Sequence, residues 1–423
     1  MTGRGLILAA PGSASGKTTL TLGLLRAYRN RHVAVRGAKS GPDYIDPRFH
    51  EAASGRVSPN LDAWAMGADR LGALAAGDGL LLIEGAMGLF DGAPPAGRGA
   101  TADLARLLGL PVVLVVDASH MAQSVAPLVA GFAGHDPKVA VAGVILNKLG
   151  SDRHERMLRA ALAPTGLPVL GALHRRPGLD HPSRHLGLVQ AGERDDLDVW
   201  LDHVAGEVAA AVDLDTLAAL AAPLPAPGAP PRLAPPGQRI AVAADRAFAF
   251  AYPHILADWR AAGASVHPFS PLADETPARE ADFIFLPGGY PELHAGTLAA
   301  ATRFKAALRA ATCPVYGECG GYMVLGEGLV VADGTRHEML GLLRLETSFA
   351  RRRLHLGYRH ASATTGPFPG DWAAHEFHYA TTLKASGTPL FAAQDAEGAA
   401  LPDQGLIDGR VSGSFLHLIE RLP

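Results

Sequence analysis

The stretch Gly5-Leu6-Ile7-Leu8-Ala9-Ala10-Pro11-Gly12-Ser13-Ala14-Ser15-Gly16-Lys17-Thr18-Thr19-Leu20 decides the fold of the first half. An apolar run over Gly5–Ala10 reads as a buried strand, and an amphipathic pattern over Thr19–Arg29 reads as a helix. The loop between them carries two glycines, a lysine and a threonine. Such a loop aims backbone N–H groups at phosphate oxygens, and the helix N-terminus adds partial positive charge. Lys17 is then placed to reach the β- and γ-phosphates and Thr18 to bind Mg²⁺, with Gly12, Ser15 and Gly16 around the ATP phosphates. The usual spacing has four residues between the glycines. Here Gly12 and Gly16 are separated by three, and Pro11 holds the usual first-glycine place. The bland alternative is a structural glycine turn before a helix.

Working outward, Val33–Ala38, Leu80–Ile83, Val112–Val116 and Val141–Leu146 read as further strands, and Ala122–Phe132 and Arg153–Leu162 as helices. Apolar strands separated by helices predict a parallel sheet covered on both faces. Prolines at 223, 225, 227, 230, 231, 235 and 236 break this pattern and predict a semi-rigid linker. Beyond it the pattern restarts, with strands at Ile240–Ala244, Ser265–Phe269 and Phe283–Pro287 and a helix at Tyr252–Ala262. The expected organisation is a domain over 1–221, a linker over 222–237 and a second α/β domain over 238–423. With 423 residues, more than one core is required.

Composition narrows the partners. A formal charge of −3 without a Lys/Arg run argues against nucleic acid or an anionic membrane. No apolar run approaches the ~20 residues of a membrane helix. The start runs directly into the glycine loop and reads as a strand, not a signal peptide. Cys313 and Cys319 are too few for a disulfide framework, which suits a reducing cytoplasm. Small-molecule substrates are expected, and a homodimer is compatible with the sequence.

Two acidic clusters follow the first loop. Gly41-Pro42-Asp43-Tyr44-Ile45-Asp46-Pro47 comes just after Lys39, and Glu84-Gly85-Ala86-Met87-Gly88-Leu89-Phe90-Asp91-Gly92 directly after an apolar strand. Carboxylates beyond the carboxyl ends of parallel strands stand where α/β proteins bind ligands, and several beside a triphosphate suggest Mg²⁺. Turn capping by Asp43 and Asp46 is the plain alternative. Asp117, at a strand end, suits indirect support of the site or a turn. Asn147, after the Val141–Leu146 strand, could read a purine edge or simply sit in a loop.

Near the end, Gly317-Glu318-Cys319-Gly320-Gly321 reads as a strained strand-to-helix turn presenting a nucleophile. The following helix is expected to lower the thiol pKa. The Gly320 N–H suits an oxyanion hole, and Gly289 in Leu286-Pro287-Gly288-Gly289-Tyr290-Pro291 offers a second donor. His417 is the candidate base. Cys313 reads as core. His375 and His378 resemble a metal spacing, but without a third ligand nearby packing or substrate contact is the better reading.

At these residues the chain resembles the cobyrinic acid a,c-diamide synthase family, which includes the hydrogenobyrinic acid enzymes. The matching stretches are Ala10–Thr18, Gly41–Pro47, Asn60–Asp62, Glu84–Gly92, Val116–Ser119, Arg184–Leu188, Leu286–Leu293, Tyr316–Gly321, His375–Tyr379 and Ser414–His417, in order over essentially the whole chain. The first half resembles the dethiobiotin synthetase type of P-loop NTPase domain, the second a class I glutamine amidotransferase domain. The resemblance implies glutamine-dependent, ATP-driven amidation of the a and c carboxylates of a corrin-ring acid in cobalamin biosynthesis, through acyl phosphates. It implies Lys17, Thr18, Asp43 and Glu84 as the ATP and Mg²⁺ set, Asn147 as base reader, Lys39, Tyr44, Ile45, Asp46 and Asp91 as the carboxylate pocket, and Cys319 as the thioester-forming residue. Amidotransferases of class I carry a Glu two residues after the His; here that position is Ile419, a gap this branch shares. An amidoligase for another tetrapyrrole, such as cobyric acid synthase or a nickel-sirohydrochlorin a,c-diamide synthase, and a partitioning-type ATPase with an inert second domain are the competing readings. Composition leans towards the cobalt-free ring. Ammonia would need a closed path between the two sites, so a substantial interdomain face is expected.

Overall fold

The computed structural model describes residues 3–179, 190–193, 196–226, 228 and 232–423. The Arg184–Leu188 stretch and the linker prolines at 227, 230 and 231 lie outside the described residues. The chain divides into two compact units, Met1–Pro231 and Arg232–Pro423. Among the described residues, no helix is long and apolar enough to cross a membrane.

In the first unit, β1 (Arg4–Ala9), β2 (Val35–Ser40), β3 (Asn60–Leu61), β4 (Leu80–Glu84), β5 (Val112–Asp117), β6 (Val141–Leu149) and β7 (Val169–His174) form a parallel sheet in the order β3-β2-β4-β1-β5-β6-β7. The central strands β1, β4 and β5 are continuous apolar runs, and nearly every residue in them is buried. Strands that show no apolar/polar alternation must be covered on both faces. A two-residue strand, β8 (Ala222–Pro223), pairs antiparallel with the start of β1. The head of the proline-rich stretch therefore joins this sheet. Pro223 is tolerated there because so short a strand ends at it.

Helix α1 (Lys17–Asn30) follows the phosphate loop, and α2 (Asp46–Ser54) follows β2. Beneath α1 lies the helix Leu197–Ala211, close enough that a Cβ on Gly23 would press on Val208 and Val204. Arg26 ties the two together through Asp198 and Asp202. The carboxyl ends of β1, β2, β4, β5 and β6 all open on one edge of the sheet, and the candidate residues of the first site come from those strand ends and from the loops and helix starts beyond them.

The second unit is built on a six-stranded sheet. Its parallel strands β9 (Arg239–Ala243), β10 (Ser265–Phe269), β11 (Phe283–Leu286) and β12 (Val315–Glu318) are followed by Val411–Ser414, parallel to β12, and by Leu406–Asp408, antiparallel at the edge. A four-stranded and a five-stranded sheet accompany it. In the latter, Gly370–His378 pairs antiparallel with both His355–Ala363 and Leu416–Arg421. These additional sheets were not anticipated. Phe248, Phe269, Phe304, Leu286 and Met323 belong to the core that also holds Cys319.

Candidate active sites

The first site forms where the phosphate loop meets the ends of β2, β4 and β6. Gly16 caps α1 at φ +82°, a left-handed conformation that favours glycine. A Cβ there would also overlap Asn147 Nδ2. The Ser15 hydroxyl donates to the Gly12 carbonyl (2.7 Å), and Asn147 Nδ2 donates to the Ser15 carbonyl (2.9 Å). Lys148 Nζ donates to the Ala14 carbonyl and to Asp117, each at 2.7 Å. Asn147 and Lys148 thus brace the loop. Asp117, bonded also by the Ser119 N–H, anchors Lys148.

Beneath the loop, Lys17 Nζ donates to the Met87 carbonyl (2.6 Å) and the Thr18 hydroxyl to Glu84 Oε1 (2.6 Å). Glu84 is wholly buried at the end of β4. It also accepts from Lys39 Nζ (2.9 Å) and pairs with His50 Nε2 (2.7 Å), whose other nitrogen faces the Ser58 hydroxyl. Lys39 in turn reaches Asp46 Oδ2 (2.5 Å). Burial pushes the Glu84 carboxyl up, but Lys39, His50 and Thr18 outweigh it and hold it well below the usual range. Asp46 goes the other way: burial and the Asp43 charge raise it to about 7. One lysine between two carboxylates neutralises one of them firmly and the other only in part. Burial lowers the Lys17 pKa, although Glu84, Asp46 and Asp91 counteract it.

A cavity of 960 Å³ opens on these groups, and its wall includes Ser15, Gly16, Lys17, Thr18, Lys39, Glu84 and Asn147. Gly12 and the residues Asp43, Tyr44, Ile45, Asp46 and Asp91 are not part of that wall. Asp43 Oδ1 accepts from the N–H groups of Ile45 and Asp46 (2.7 and 3.0 Å), so this oxygen caps the start of α2. Asp91 accepts from the Gly88 N–H (2.8 Å) and closes its own turn. Tyr44 and Ile45 are buried. His50 was missed by sequence reasoning, and Asn60 stood in a matching stretch without a role; its Nδ2 donates to the carbonyls of Gly41 and Asp43 and fixes the loop after β2.

The second site sits at the end of β12. Cys319 has φ +47° and ψ −105°, a conformation that an L-residue holds at a cost of about 1–3 kcal/mol. The chain must turn there because the helix Gly320–Leu325 packs directly on β11; a Cβ on Gly321 would overlap the Leu286 carbonyl. A Cβ on Gly320 would lie 3.0 Å from the Gly289 nitrogen, so the two N–H groups expected to form an oxyanion hole are neighbours. A Cβ built on Gly288 would lie 3.0 Å from His417 Nε2 and 3.2 Å from Cys319 Cβ. Thiol and imidazole therefore flank one small space.

The expected low thiol pKa is not found. Burial, then the Glu292 charge, pushes the Cys319 thiol far above its ordinary value; the Gly320 N–H pulls only weakly the other way. A six-residue helix offers too little field to offset a thiol 3% exposed. His417 is 0% exposed, and burial, then His375 and His378, hold it well below the usual imidazole value. Resting thiol and imidazole are both neutral. His375 does not join His378 in a metal-type cluster; His355, opposite His378 in the sheet, and Glu376 bring ligand atoms within 4.8 Å of His378 instead. Glu376 is already paired with Arg359 (2.8 Å), and the two imidazole rings are stacked at 4.6 Å.

Residues 6–189 match the CobQ/CobB/MinD/ParA nucleotide binding domain, and residues 239–421 the CobB/CobQ-like glutamine amidotransferase domain. The hydrogenobyrinate a,c-diamide synthase of Rhodobacter capsulatus is 56% identical over 98% of this chain and 98% of its own length. That of Rhizobium meliloti is 55% identical over 98% and 99%, and that of Mesorhizobium japonicum 53% identical over 100% and 99%. The chain belongs to the hydrogenobyrinate a,c-diamide synthase family.

In this member of the hydrogenobyrinate a,c-diamide synthase family, the two sites divide between the two matched domains. The phosphate loop and the Glu84 cluster lie in the nucleotide-binding domain, and Cys319 and His417 in the amidotransferase domain. Both halves of the family resemblance thus meet a built site, one per α/β sheet.

Proposed function

We propose that the chain amidates the a and c carboxylates of hydrogenobyrinate, using ATP and ammonia drawn from glutamine, as a carbon–nitrogen ligase of cobalamin biosynthesis. The observation that carries this reading is a buried lysine–carboxylate cluster under a phosphate loop, in one chain with a thiol–imidazole pair. A carboxylate does not react with ammonia at neutral pH. Phosphorylation by ATP makes an acyl phosphate: the carboxylate oxygen bonds to the γ-phosphorus, and ADP leaves. Ammonia then attacks the acyl carbon, and the C–O bond to phosphate breaks.

Lys17 and the loop N–H groups of Gly12–Gly16 are assigned to the ATP phosphates, with Asn147 on the base side. Mg²⁺ fits the site, because the Thr18 hydroxyl and Glu84 carboxylate are hard oxygen donors 2.6 Å apart on the cavity wall. Thr18 and Glu84 would hold it, with Asp43 nearby, and it would supply positive charge to the transferring phosphoryl group. Lys39, Tyr44, Ile45, Asp46 and Asp91 are assigned to the substrate carboxylate.

At the second site the Cys319 proton moves to His417 as Sγ bonds to the glutamine amide carbon. The Gly289 and Gly320 N–H groups receive the oxyanion. His417 returns the proton to the leaving nitrogen, ammonia departs, and water cleaves the thioester to glutamate. Cys313 and Cys319 are both free thiols, and we assign the enzyme to the reducing cytoplasm.

Incubation with hydrogenobyrinate, ATP, Mg²⁺ and glutamine, read by mass spectrometry, is expected to yield the diamide. Cobyrinate in a parallel reaction tests the preference for the cobalt-free ring. Absence of any amide product from either ring refutes the reading.

A further inference from the structure

The position where a triad acid is expected holds Ile419, which is buried and apolar. A carboxylate approaches His417 from elsewhere. Glu318 Oε2 lies 3.7 Å from His417 Nδ1, and both side chains are almost wholly buried. The other Glu318 oxygen accepts from the Leu418 N–H at 3.2 Å, which fixes the carboxylate beside the strand that carries His417. The Cε1 and Nε2 atoms of the ring face Gly288, and a Cβ built on Gly288 would also lie 3.2 Å from Cys319 Cβ. Carboxylate, imidazole and thiol therefore follow one another in the order that nucleophile activation needs.

We propose that Glu318, the residue immediately before the nucleophile, replaces the absent triad acid and orients the His417 imidazole through Nδ1. It acts as a positioning residue. This inference rests on the glutaminase assigned above. At 3.7 Å the pair is not yet a hydrogen bond, and catalytic bonds commonly tighten only when substrate binds. Ionised Glu318 accepts a hydrogen bond from Nδ1–H, which keeps the proton on Nδ1 and leaves the Nε2 lone pair free to take the thiol proton. Protonated Glu318 points its own hydrogen at Nδ1 and leaves the proton on Nε2, where it blocks that transfer.

The surroundings supply a readout. Burial pushes the Glu318 carboxyl up to about 8, while the Leu418 N–H and the Tyr316 hydroxyl pull it down. Facing His417 are His375 and His378 from Gly370–His378, and the Phe250 carbonyl, which bonds the ring. Glu292 and Glu376 bear on the thiol. The Phe250 carbonyl is the competing orienter.

The test compares Glu318→Gln with the parent in glutamine-driven and ammonia-driven amidation, across pH. The parent's glutamine-driven kcat should rise through pH ~8, in line with a carboxyl held high by burial. Glu318→Gln keeps the acceptor for Leu418 but not the charge. It should lower that kcat at least about 10-fold, short of the ~10⁴ typical of a directly bonded triad acid. It should abolish the rise, with glutamine KM and ammonia-driven rate unchanged. An unchanged kcat and pH profile assigns the ring to Phe250 and overturns the proposal, as does an equal loss of the ammonia-driven rate. If Glu318→Gln does not fold, Tyr316→Phe decides: removing a hydroxyl that lowers the Glu318 pKa should shift the rise to higher pH, and an unshifted profile overturns the proposal. A parent protein without glutamine-driven activity would instead refute the glutaminase assignment itself.

Discussion

Gly288→Ala is the sharpest single perturbation of the second site. The added methyl would overlap His417 Cε1 and lie 3.0 Å from Nε2 and 3.2 Å from Cys319 Cβ. Gly288 cannot step back, because the Phe250 N–H holds its carbonyl at 2.9 Å. Nor has the ring a solvent side to move into, since His417 is 0% exposed. Restoring ordinary contact with Cε1 demands a shift of at least about 1.2 Å, given the ~3.5–4.0 Å optimum between carbons. A misplacement of that size costs about 10² in rate, or roughly 2.7 kcal/mol of transition-state stabilisation. Overpacking adds about 1–3 kcal/mol of destabilisation. The assay runs amidation from glutamine and from ammonium on the same preparation, beside a melting curve. The expected result is a glutamine-driven kcat about 100-fold down in a folded protein whose ammonia-driven rate holds. A glutamine-driven rate that stays near the parent's, with the variant folded, would refute the placement of thiol and imidazole around Gly288.

The first site and the outer sheet offer two stability tests. Glu84→Gln removes the charge that Lys39, His50 and Thr18 share. Asp46 should then ionise fully beside Lys39, so the loss in urea unfolding should be about 2 kcal/mol, below the ~3–5 kcal/mol of a stranded buried charge; a variant as stable as the parent contradicts the charge balance described. Glu376 concerns pH. Burial raises its carboxyl, but His378 and Arg359 outweigh that and bring it from 4.5 to about 2. A depressed carboxyl stabilises the fold above its unfolded pKa, and the contribution fades as pH falls through the folded value. Of order 3 kcal/mol should therefore be lost between about pH 4.5 and pH 2, and Glu376→Gln should flatten that limb; parallel acid-unfolding curves would count against it.

The first site was largely legible because its groups occupy the ends of apolar strands and the loops and helix starts beyond them, where residue type and spacing report chemistry. Lys39, Glu84 and the phosphate-loop residues Ser15 and Gly16 reach one cavity, whereas Gly12 does not line it. His50 escaped because a lone histidine in a short helix carries no motif. Its signal was the spacing from Asp46: four residues apart on α2, the two share a face. Asp43 shows the limit of reading charge alone, since one of its oxygens caps a helix. In the second unit, the parallel strands through β12 were readable, but His355–Ala363 shows only a weak burial alternation and gave no strand pattern. His355 could be found only through its cross-strand pairing with His378. The thiol pKa was misjudged because local context, a helix start, was weighed without the burial that only the packed core reveals. Glu318 was visible as a carboxylate closing a short strand, yet its nearness to His417, far along the chain, belongs to the fold.

In the proposed reaction, glutamine nitrogen released at Cys319 enters two carboxylates of the ring. Glutamine labelled with heavy nitrogen in its amide, supplied with hydrogenobyrinate, ATP and Mg²⁺, tests it most directly. The parent protein should yield a diamide carrying two heavy nitrogens. Cys319→Ser should give none from glutamine, yet still form the diamide from ammonium. Incorporation of glutamine nitrogen by Cys319→Ser, or failure of the parent to incorporate any, would contradict it.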